Sequence, residues 1–238
     1  MSNTSQSARR LAAVSAILVA PLSYASTGLY LWVTGGDTDG LLKPALMLNL
    51  PEPAQHLFAL SMIFDSFGLY TLLLVAGGYL WTRLRPTSNG LDDIAVLALG
   101  LFSALGITGA VLLCASLPAL SHAYLGSDPA TRAAAEVTWL ALASGVERGL
   151  WVFAYLPIAI WCLVTAPRLR AIGARHGWML MTLGAAWALY FGGGMLELVG
   201  VIPEAKADLV QAPGLFALAV TPLWALLSGI DLLRPERA

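Results

Sequence analysis

Charged residues are scarce in this sequence. Only 11% of the 238 residues are Asp, Glu, Lys or Arg and 58% are hydrophobic, whereas soluble proteins carry roughly 25% charged residues. The net charge of -1 provides no field that would attract nucleic acid. The composition therefore excludes a nucleic-acid partner and indicates a chain whose surface faces lipid.

Cysteine and histidine are also rare. Cys114 and Cys162 fall near opposite ends of two consecutive apolar segments, too far apart for a disulfide bond. His56, His122 and His176 are scattered over different loops, and no Cys/His spacing resembles a zinc or haem site. We therefore expect no metal and no other cofactor.

Familiar catalytic motifs are missing. The sequence has no glycine-rich phosphate loop, no nucleophile elbow, no Asp-rich prenyl-diphosphate motif and no lysine in an apolar segment that could hold retinal. It also lacks an evident duplication of the kind found in secondary transporters. Any chemistry must use side chains between the helices or in short loops.

Long apolar runs dominate what is present. Runs close to the ~20 residues that cross a bilayer occur at 11–33, 57–81, 92–117, 138–165, 178–201 and 213–233. They predict an all-α fold, a transmembrane bundle of six helices that forms a single integral membrane domain over residues 1–238.

The arginines predict the orientation of this bundle. Nine of the 13 basic residues lie before the first run, after the second and fourth runs, or in the tail. Lys43, Arg132 and Lys206 lie in the opposite loops. Because positive charge is retained in the cytoplasm, both termini are predicted to be cytoplasmic.

The first apolar run allows a second interpretation. Arg9-Arg10, a short apolar stretch and Ser23-Tyr24-Ala25 resemble a signal peptide with its cleavage site. The apolar run continues through Trp32-Val33, however, which favours a retained first helix.

Two outer segments have features of their own. Segment 34–56 is too apolar for a solvated loop and too short to span the membrane. It is interpreted as a linker at the membrane surface or over the bundle mouth, in preference to a functional lid. Asp128 followed by Pro129 predicts the cap and first turn of a helix that continues into the fourth run.

Four charged residues lie inside apolar runs: Asp65, Glu147, Arg148 and Glu197. Charges in hydrocarbon cost about 2.5 to 3.5 kcal/mol each and are functional by default. All four fall in the outer half of their segments, which predicts one shared polar site. Arg148 is expected to pair with Asp65 or Glu197, and at least one surplus carboxyl is expected to stay protonated and serve as a proton donor.

Aromatic residues adjoin these charges at helical spacing. Ser144, Arg148, Trp151 and Tyr155 share one predicted stripe, and Trp187, Tyr190, Gly194 and Glu197 share another. Arg148, Trp151, Tyr155, Trp187 and Tyr190 are therefore candidate substrate-binding residues for an apolar ligand. Ordinary packing between helices is the favoured alternative.

Several short motifs carry a family resemblance. Pro167-Arg168 ends the fourth run, Gly177-Trp178 begins the fifth and Pro222-Leu223-Trp224 lies in the sixth. Together they resemble a bacterial family of uncharacterised six-span membrane proteins, mainly over the second half of the chain. The resemblance implies a six-helix fold in the bacterial cytoplasmic membrane. The acidic residue expected in that family's third span is missing, so no site residue is carried over.

Three functions fit these patterns. The leading hypothesis is a membrane-embedded enzyme, a cyclase or isomerase acting on an isoprenoid or other lipid in an outer-leaflet cavity, with Asp65, Glu147 and Glu197 as candidate catalytic acids. The alternatives are a non-catalytic accessory subunit of a membrane complex and a small proton-coupled transporter. The expected partners are membrane lipid and a hydrophobic small molecule, with a homo-oligomer or complex subunit as further options.

Overall fold

The computed structural model describes residues 3–87, 90–126, 128–201 and 207–234 and contains no strand within them. Its α-helices are α1 (Asn3–Val33), α2 (Pro44–Leu48), α3 (Glu52–Asp65), α4 (Leu73–Leu84), α5 (Leu91–Gly126), α6 (Pro129–Ser144), α7 (Val152–Ala171), α8 (Gly177–Leu198) and α9 (Ala207–Leu233). The first π-helix (Ser66–Leu72) joins α3 to α4, and the second π-helix (Gly145–Trp151) joins α6 to α7. Short 3₁₀ turns occupy Gly40–Leu42 and Arg85–Thr87.

Within the described residues, six helical segments are long and apolar enough to cross a membrane. They are Gln6–Val33, Glu52–Leu84, Leu91–Gly126, Pro129–Ala171, Gly177–Leu198 and Gln211–Leu233. Large apolar side chains point outward from them, including Leu97 at 73% exposure and Leu189 at 66%, as expected for surfaces that contact lipid. The prediction of an all-α fold with six helices long and apolar enough to span a membrane is confirmed for the described residues.

The six segments close into a ring. α1 packs against α9 and against α3 and α4, α5 packs against α4 and α7, and α8 packs against α7 and α9. Consecutive segments are therefore neighbours, and the first meets the last. The first segment, for which a signal peptide was the alternative interpretation, forms one continuous helix and is itself a member of this ring.

Among the described residues, two large hydrophobic cores fill the bundle, and a small third cluster joins Ala12 and Ala13 to Leu232. The larger core lies between the spanning segments and contains the fully buried Trp161, Trp187 and Trp224. The smaller core lies at the end of the bundle where α5 turns into α6, and it contains the buried Trp139, Phe58 and Met47. The smaller core joins the α5–α6 hairpin to the segment that follows α1.

Segment 34–56 folds over the mouth of the bundle. Leu41, Met47 and Leu48 are buried, and α2 packs against α5 and α6. The Trp139 indole N–H donates to the Leu41 carbonyl over 2.8 Å, and the Ser121 hydroxyl donates to the Leu48 carbonyl over 2.8 Å. These bonds satisfy backbone carbonyls that the irregular segment would otherwise leave unpaired.

The α5–α6 connection confirms the predicted helix cap. The Asp128 carboxylate accepts from the Ala130 and Thr131 amides at 2.9 and 3.2 Å, and from the Thr131 hydroxyl at 3.0 Å. Pro129 occupies the first turn. The helix then continues through the second π-helix into α7, as the sequence predicted.

Arginines collect at the end of the bundle where α1 begins and α9 ends, which we call the basic end. The Arg9 Nε donates to the Leu232 carbonyl over 2.7 Å. An Arg168 Nη lies 3.2 Å from the buried Asp92 carboxylate and joins α7 to α5. The Asp231 carboxylate contacts Arg234 at 2.8 Å and also meets His176 Nε2 at 3.0 Å. Cys114 and Cys162 are both free cysteines.

Candidate functional site

Asp65 is the last residue of α3 and leads directly into the first π-helix. The Tyr70 hydroxyl donates a hydrogen bond to the Asp65 carboxyl. In an α-helix, residues five positions apart differ by about 140° around the axis. Because a π-turn closes over five residues, Tyr70 comes to lie near Asp65. The π-helix therefore supplies the acid with a partner on its own segment.

The first π-helix also satisfies its own irregular backbone. The Thr71 hydroxyl donates to the Ser66 carbonyl over 2.8 Å, again across five residues. Ser103 of α5 donates to the Tyr70 carbonyl over 3.1 Å. Wide helical turns of this kind are rare and are often found at functional sites.

Glu147 lies in the second π-helix, with its side chain half-buried. Its Oε2 atom is buried and has no hydrogen-bond partner among the described residues. Most buried polar atoms are paired, so this oxygen is a position where a ligand or a proton could be accommodated. Asp39 and Glu197 are both close enough to interact electrostatically with Glu147.

Both π-helices rest on one short stretch of α5. A Cβ at Gly106 would lie 2.0 Å from Tyr70 Cε1, and a Cβ at Gly109 would lie 2.5 Å from Trp151 Nε1. The Trp151 indole N–H donates to the Gly106 carbonyl over 3.4 Å. Glycine at these two positions therefore lets a ring from each π-helix approach the α5 backbone.

Three aromatic rings form a stack between α7 and α8. The Tyr155 ring centroid lies 4.9 Å from that of Trp187, with planes 19° apart, and 4.7 Å from that of Tyr190, with planes 25° apart. The Tyr155 hydroxyl donates to the Tyr190 oxygen. The Trp187 indole N–H donates to the Thr221 hydroxyl over 3.3 Å. The predicted stripes thus meet through these three rings.

Tyr155 connects the stack to the acids. It lies within electrostatic range of Asp65, Tyr70 and Glu147, and Tyr190 lies within range of Glu147 and Glu197. Each of the three predicted acids thus lies within electrostatic range of Tyr155 or Tyr190. We call the set of Asp65, Tyr70, Glu147, Tyr155, Tyr190 and Glu197 the acid–tyrosine cluster.

The predicted ion pair of Arg148 is wrong, and so is the prediction that all four charges share one polar site. Arg148 is exposed on the bundle surface and lies within 4.0 Å of no carboxylate among the described residues. The prediction assumed α-helical spacing. The wider turn of the π-helix changes which residues share a face, so Glu147 points inward and Arg148 points outward.

Arg148 needs no internal partner because its side chain is exposed. It precedes Arg168 of the basic end by 20 residues, about 30 Å of helix, which is roughly the thickness of the hydrocarbon core. Ser144, Arg148, Trp151 and Tyr155 accordingly do not form one face: Trp151 packs on α5 and Tyr155 on α8.

Sequence reasoning missed three members of this region. Tyr70 was not predicted because it comes near Asp65 only when the chain forms a π-turn. Asp39 lies in the outer segment, whose path over the bundle was not predictable. Tyr30 donates to the Thr38 carbonyl over 3.0 Å and accepts from the Leu41 amide over 3.3 Å, so it anchors that segment near Glu147.

The cavity found among the described residues does not lie beside the acid–tyrosine cluster. A volume of about 470 Å³ opens at the basic end, bordered by Arg83, Arg175 and Trp224 among others, whereas the sequence predicted a cavity beside the acids. In the run Gly192–Gly194, the Val152 side chain packs closely against Gly194: a Cβ there would lie 2.9 Å from Val152 Cγ1. Within the described chain, no three His, Cys, Asp or Glu side chains are grouped closely enough to hold a metal ion.

Comparison with known proteins leaves the chain without a relative: no family model matches it, and neither a curated protein nor a solved structure is detectably similar. The resemblance drawn from Pro167-Arg168, Gly177-Trp178 and Pro222-Leu223-Trp224 stays a prediction. Inference about function must start from the acid–tyrosine cluster itself.

Proposed function

We propose that this chain is a membrane-embedded enzyme that isomerises or cyclises an isoprenoid or other lipid by proton transfer. The observation that carries the proposal is that Asp65, Glu147 and Glu197 each lie within electrostatic range of Tyr155 or Tyr190. Acids within membrane-spanning segments are costly and are functional by default.

Glu147 is the proposed proton donor. Its Oε2 has no hydrogen-bond partner among the described residues, and Glu197 and Asp39 are close to it. Arg148 also acts electrostatically on Glu147, so the unpaired Oε2, and not the sum of the nearby charges, marks Glu147 as the donor. Glu147 would transfer its proton to a substrate double bond, whose electron pair forms the new C–H bond and leaves a carbocation.

Asp65 is the proposed base. Its carboxylate, held by the Tyr70 hydroxyl, would remove a proton from the carbon next to the cation, and the released electron pair would form the shifted double bond. Return of a proton from Asp65 to Glu147 through solvent completes the cycle.

Arg148 would serve a lipid substrate at the surface. It is exposed on the same π-helix as Glu147, and a guanidinium binds phosphate in a bidentate manner. It would hold an anionic head group while the apolar chain enters beside α7.

The direct test is incubation of the purified protein with polyprenyl substrates, followed by chromatographic separation of isomers. Glu147→Gln and Asp65→Asn should each reduce turnover by about 10²- to 10⁴-fold. Glu136→Gln, a half-buried acid on α6 outside the acid–tyrosine cluster, is the matched control and should be neutral. Unchanged turnover in Asp65→Asn, Glu147→Gln and Glu197→Gln alike would exclude the mechanism.

A non-catalytic accessory subunit is the second candidate. The exposed guanidinium of Arg148 could pair with a carboxylate of another chain, and the tight stack of Tyr155 on Trp187 and Tyr190 is suited to rigid packing. Purification from the native membrane in mild detergent should then recover a stoichiometric partner, and Arg148→Gln should release it. A monodisperse lone chain would count against this function.

For the cellular setting, we propose a bacterial cytoplasmic membrane with both termini in the cytoplasm. The clustering of Arg9, Arg168 and Arg234 at one end of the bundle supports this orientation, because positive charge is retained on the cytoplasmic side. The acid–tyrosine cluster would then lie in the outer half of the membrane.

A further inference from the structure

The cavity at the basic end is separate from the acid–tyrosine cluster. It has a volume of about 470 Å³ and lies between α1, α4, α9 and the turn that joins α7 to α8. Small-molecule sites measure roughly 300 to 1,000 Å³. The turn is shaped by Gly173, which has a φ of +74°, a conformation that other residues rarely adopt.

Positive charge surrounds this cavity. Four arginines line it: Arg9, Arg83, Arg175 and Arg234. Among the described residues, the one carboxylate in the lining is Asp231, which already contacts Arg234 at 2.8 Å and His176 at 3.0 Å. The lining therefore has an excess of cationic groups that is suited to an anion.

Arg175 is the most available of these groups. It is exposed, and the structure gives it no hydrogen bond or ion pair with any described residue. It follows directly after the Gly173–Ala174 turn, so its side chain is carried on the cavity wall and not on a spanning helix.

The deeper lining is apolar. Ala16, Ala76 and Leu80 contribute to it, together with the buried indole of Trp224. The Trp224 N–H donates to the His176 carbonyl over 3.2 Å, so the indole is fixed in place. A charged rim above an apolar floor matches a ligand that has both an anionic head and a hydrocarbon part.

We propose that this cavity binds the phosphate head of an anionic amphiphile at the basic end of the bundle. Arg175 and Arg83 contact the phosphate, and the apolar floor receives the adjoining hydrocarbon. The shared chemistry is a phosphate group, whether it belongs to a membrane lipid or is free in solution. This site is distinct from the acids that carry the proposed reaction.

The experiment is native mass spectrometry of the full chain in a neutral detergent. Phosphatidylglycerol, phosphatidylcholine and inorganic phosphate are added separately and in competition. Arg175→Gln removes a rim charge, and Ser228→Phe fills the cavity from α9, where Ser228 lines it. Arg170→Gln is the control of equal charge change, because Arg170 stacks 3.3 Å from the Trp178 ring centroid outside the cavity.

We expect wild-type protein to retain phosphatidylglycerol in preference to phosphatidylcholine. Arg175→Gln should weaken that binding by about tenfold, Ser228→Phe should abolish it, and Arg170→Gln should leave it unchanged. Competition by inorganic phosphate would identify the head alone as the ligand, and lack of competition would show that the hydrocarbon contributes. Either result supports a phosphate site.

Two results would overturn the proposal. One is equal retention of both phospholipids by the wild-type protein. The other is equal loss of phosphatidylglycerol in Arg170→Gln and Arg175→Gln, which would mean that general surface charge, and not the cavity, attracts the lipid. Thermal unfolding of each variant verifies that it is folded, and Arg175→Gln decides the outcome if Ser228→Phe is unstable.

Discussion

Single side chains determine how the buried acids are held. The Asp65 carboxyl accepts from Tyr70, whereas the Oε2 of Glu147 is buried without a partner among the described residues. The two acids therefore differ in chemical availability although they lie around the same tyrosine. This difference is the basis for assigning them different roles in proton transfer.

Removal of the Tyr70 hydroxyl should destabilise the fold. Tyr70→Phe leaves a buried carboxyl without its donor, which costs about 1 to 3 kcal/mol. Thermal unfolding in detergent should show the loss. Tyr79→Phe is the control, because Tyr79 is half-buried on α4 and its hydroxyl has no described partner. Equal melting temperatures for the two variants would contradict the importance of the Tyr70–Asp65 bond.

The Asp128 cap should make stability depend on pH. Hydrogen bonds from the Thr131 amide and hydroxyl and the Ala130 amide lower the pKa of Asp128, whose ordinary value is about 3.9. A lowered pKa in the folded state stabilises the protein above that ordinary value, and the stabilisation is lost as the pH falls through the folded value.

Asp128→Ala should therefore reduce the melting temperature at pH 7. The difference in melting temperature between the variant and the wild type, here called the gap, should become smaller at acidic pH. Differential scanning fluorimetry from neutral to acidic pH measures this. Glu136→Ala, a half-buried acid on the same helix that does not cap it, should show no such pH-dependent difference. A gap for Asp128→Ala that is independent of pH would show that the carboxylate charge is not what caps α6.

At the scale of elements, α5 is the platform for both π-helices. Gly106→Ala forces a methyl group against the Tyr70 ring, where a Cβ would lie 2.0 Å from Cε1. Such overpacking costs about 1 to 3 kcal/mol. The measurement is chemical or thermal unfolding of the purified variant.

Gly100→Ala is the matched control on the same helix. Gly100 has no neighbouring atom within 4 Å among the described residues, so alanine should be neutral or stabilising by about 0.5 to 1 kcal/mol through its helix propensity. If Gly106→Ala were equally well tolerated, the π-helices would not depend on close approach to α5.

The spanning helices could be predicted from the sequence, whereas the π-helices could not. Apolar runs revealed all six spanning helices because lipid imposes length and hydropathy on each of them. The helix cap at Asp128-Pro129 could be predicted because it involves only residues that are neighbours in the sequence. The π-helices were not readable, since hydrophobic periodicity assumes 3.6 residues per turn, and the error over Arg148 followed from that assumption. Tyr70 was missed for the same reason.

At the scale of the whole molecule, the ring of six helices separates two sites. The acid–tyrosine cluster and the arginine-lined cavity lie at different heights of the bundle, and positive charge marks one end. The proposed orientation places both termini in the cytoplasm.

Orientation can be tested by accessibility. In a Cys114→Ala/Cys162→Ala background, a cysteine at Ser7 or at Arg234 should resist an impermeant thiol reagent in intact cells, and a cysteine at Thr38 should react. All three should react after membrane lysis. Labelling at Ser7 and Arg234 in intact cells would reverse the orientation and place the acid–tyrosine cluster toward the cytoplasm.

The most direct measurement of the central claim is deuterium transfer to lipid carbon. The reconstituted protein is incubated in D₂O with a total lipid extract, and mass spectrometry detects deuterium in non-exchangeable C–H positions. Proton donation by Glu147 and removal by Asp65 predict incorporation by the wild type and by Glu136→Gln. They also predict a loss of about 10²-fold or more in Glu147→Gln and Asp65→Asn, with folding retained. Incorporation at the wild-type rate in both variants, or in none of the four proteins, would contradict proton transfer by the acid–tyrosine cluster.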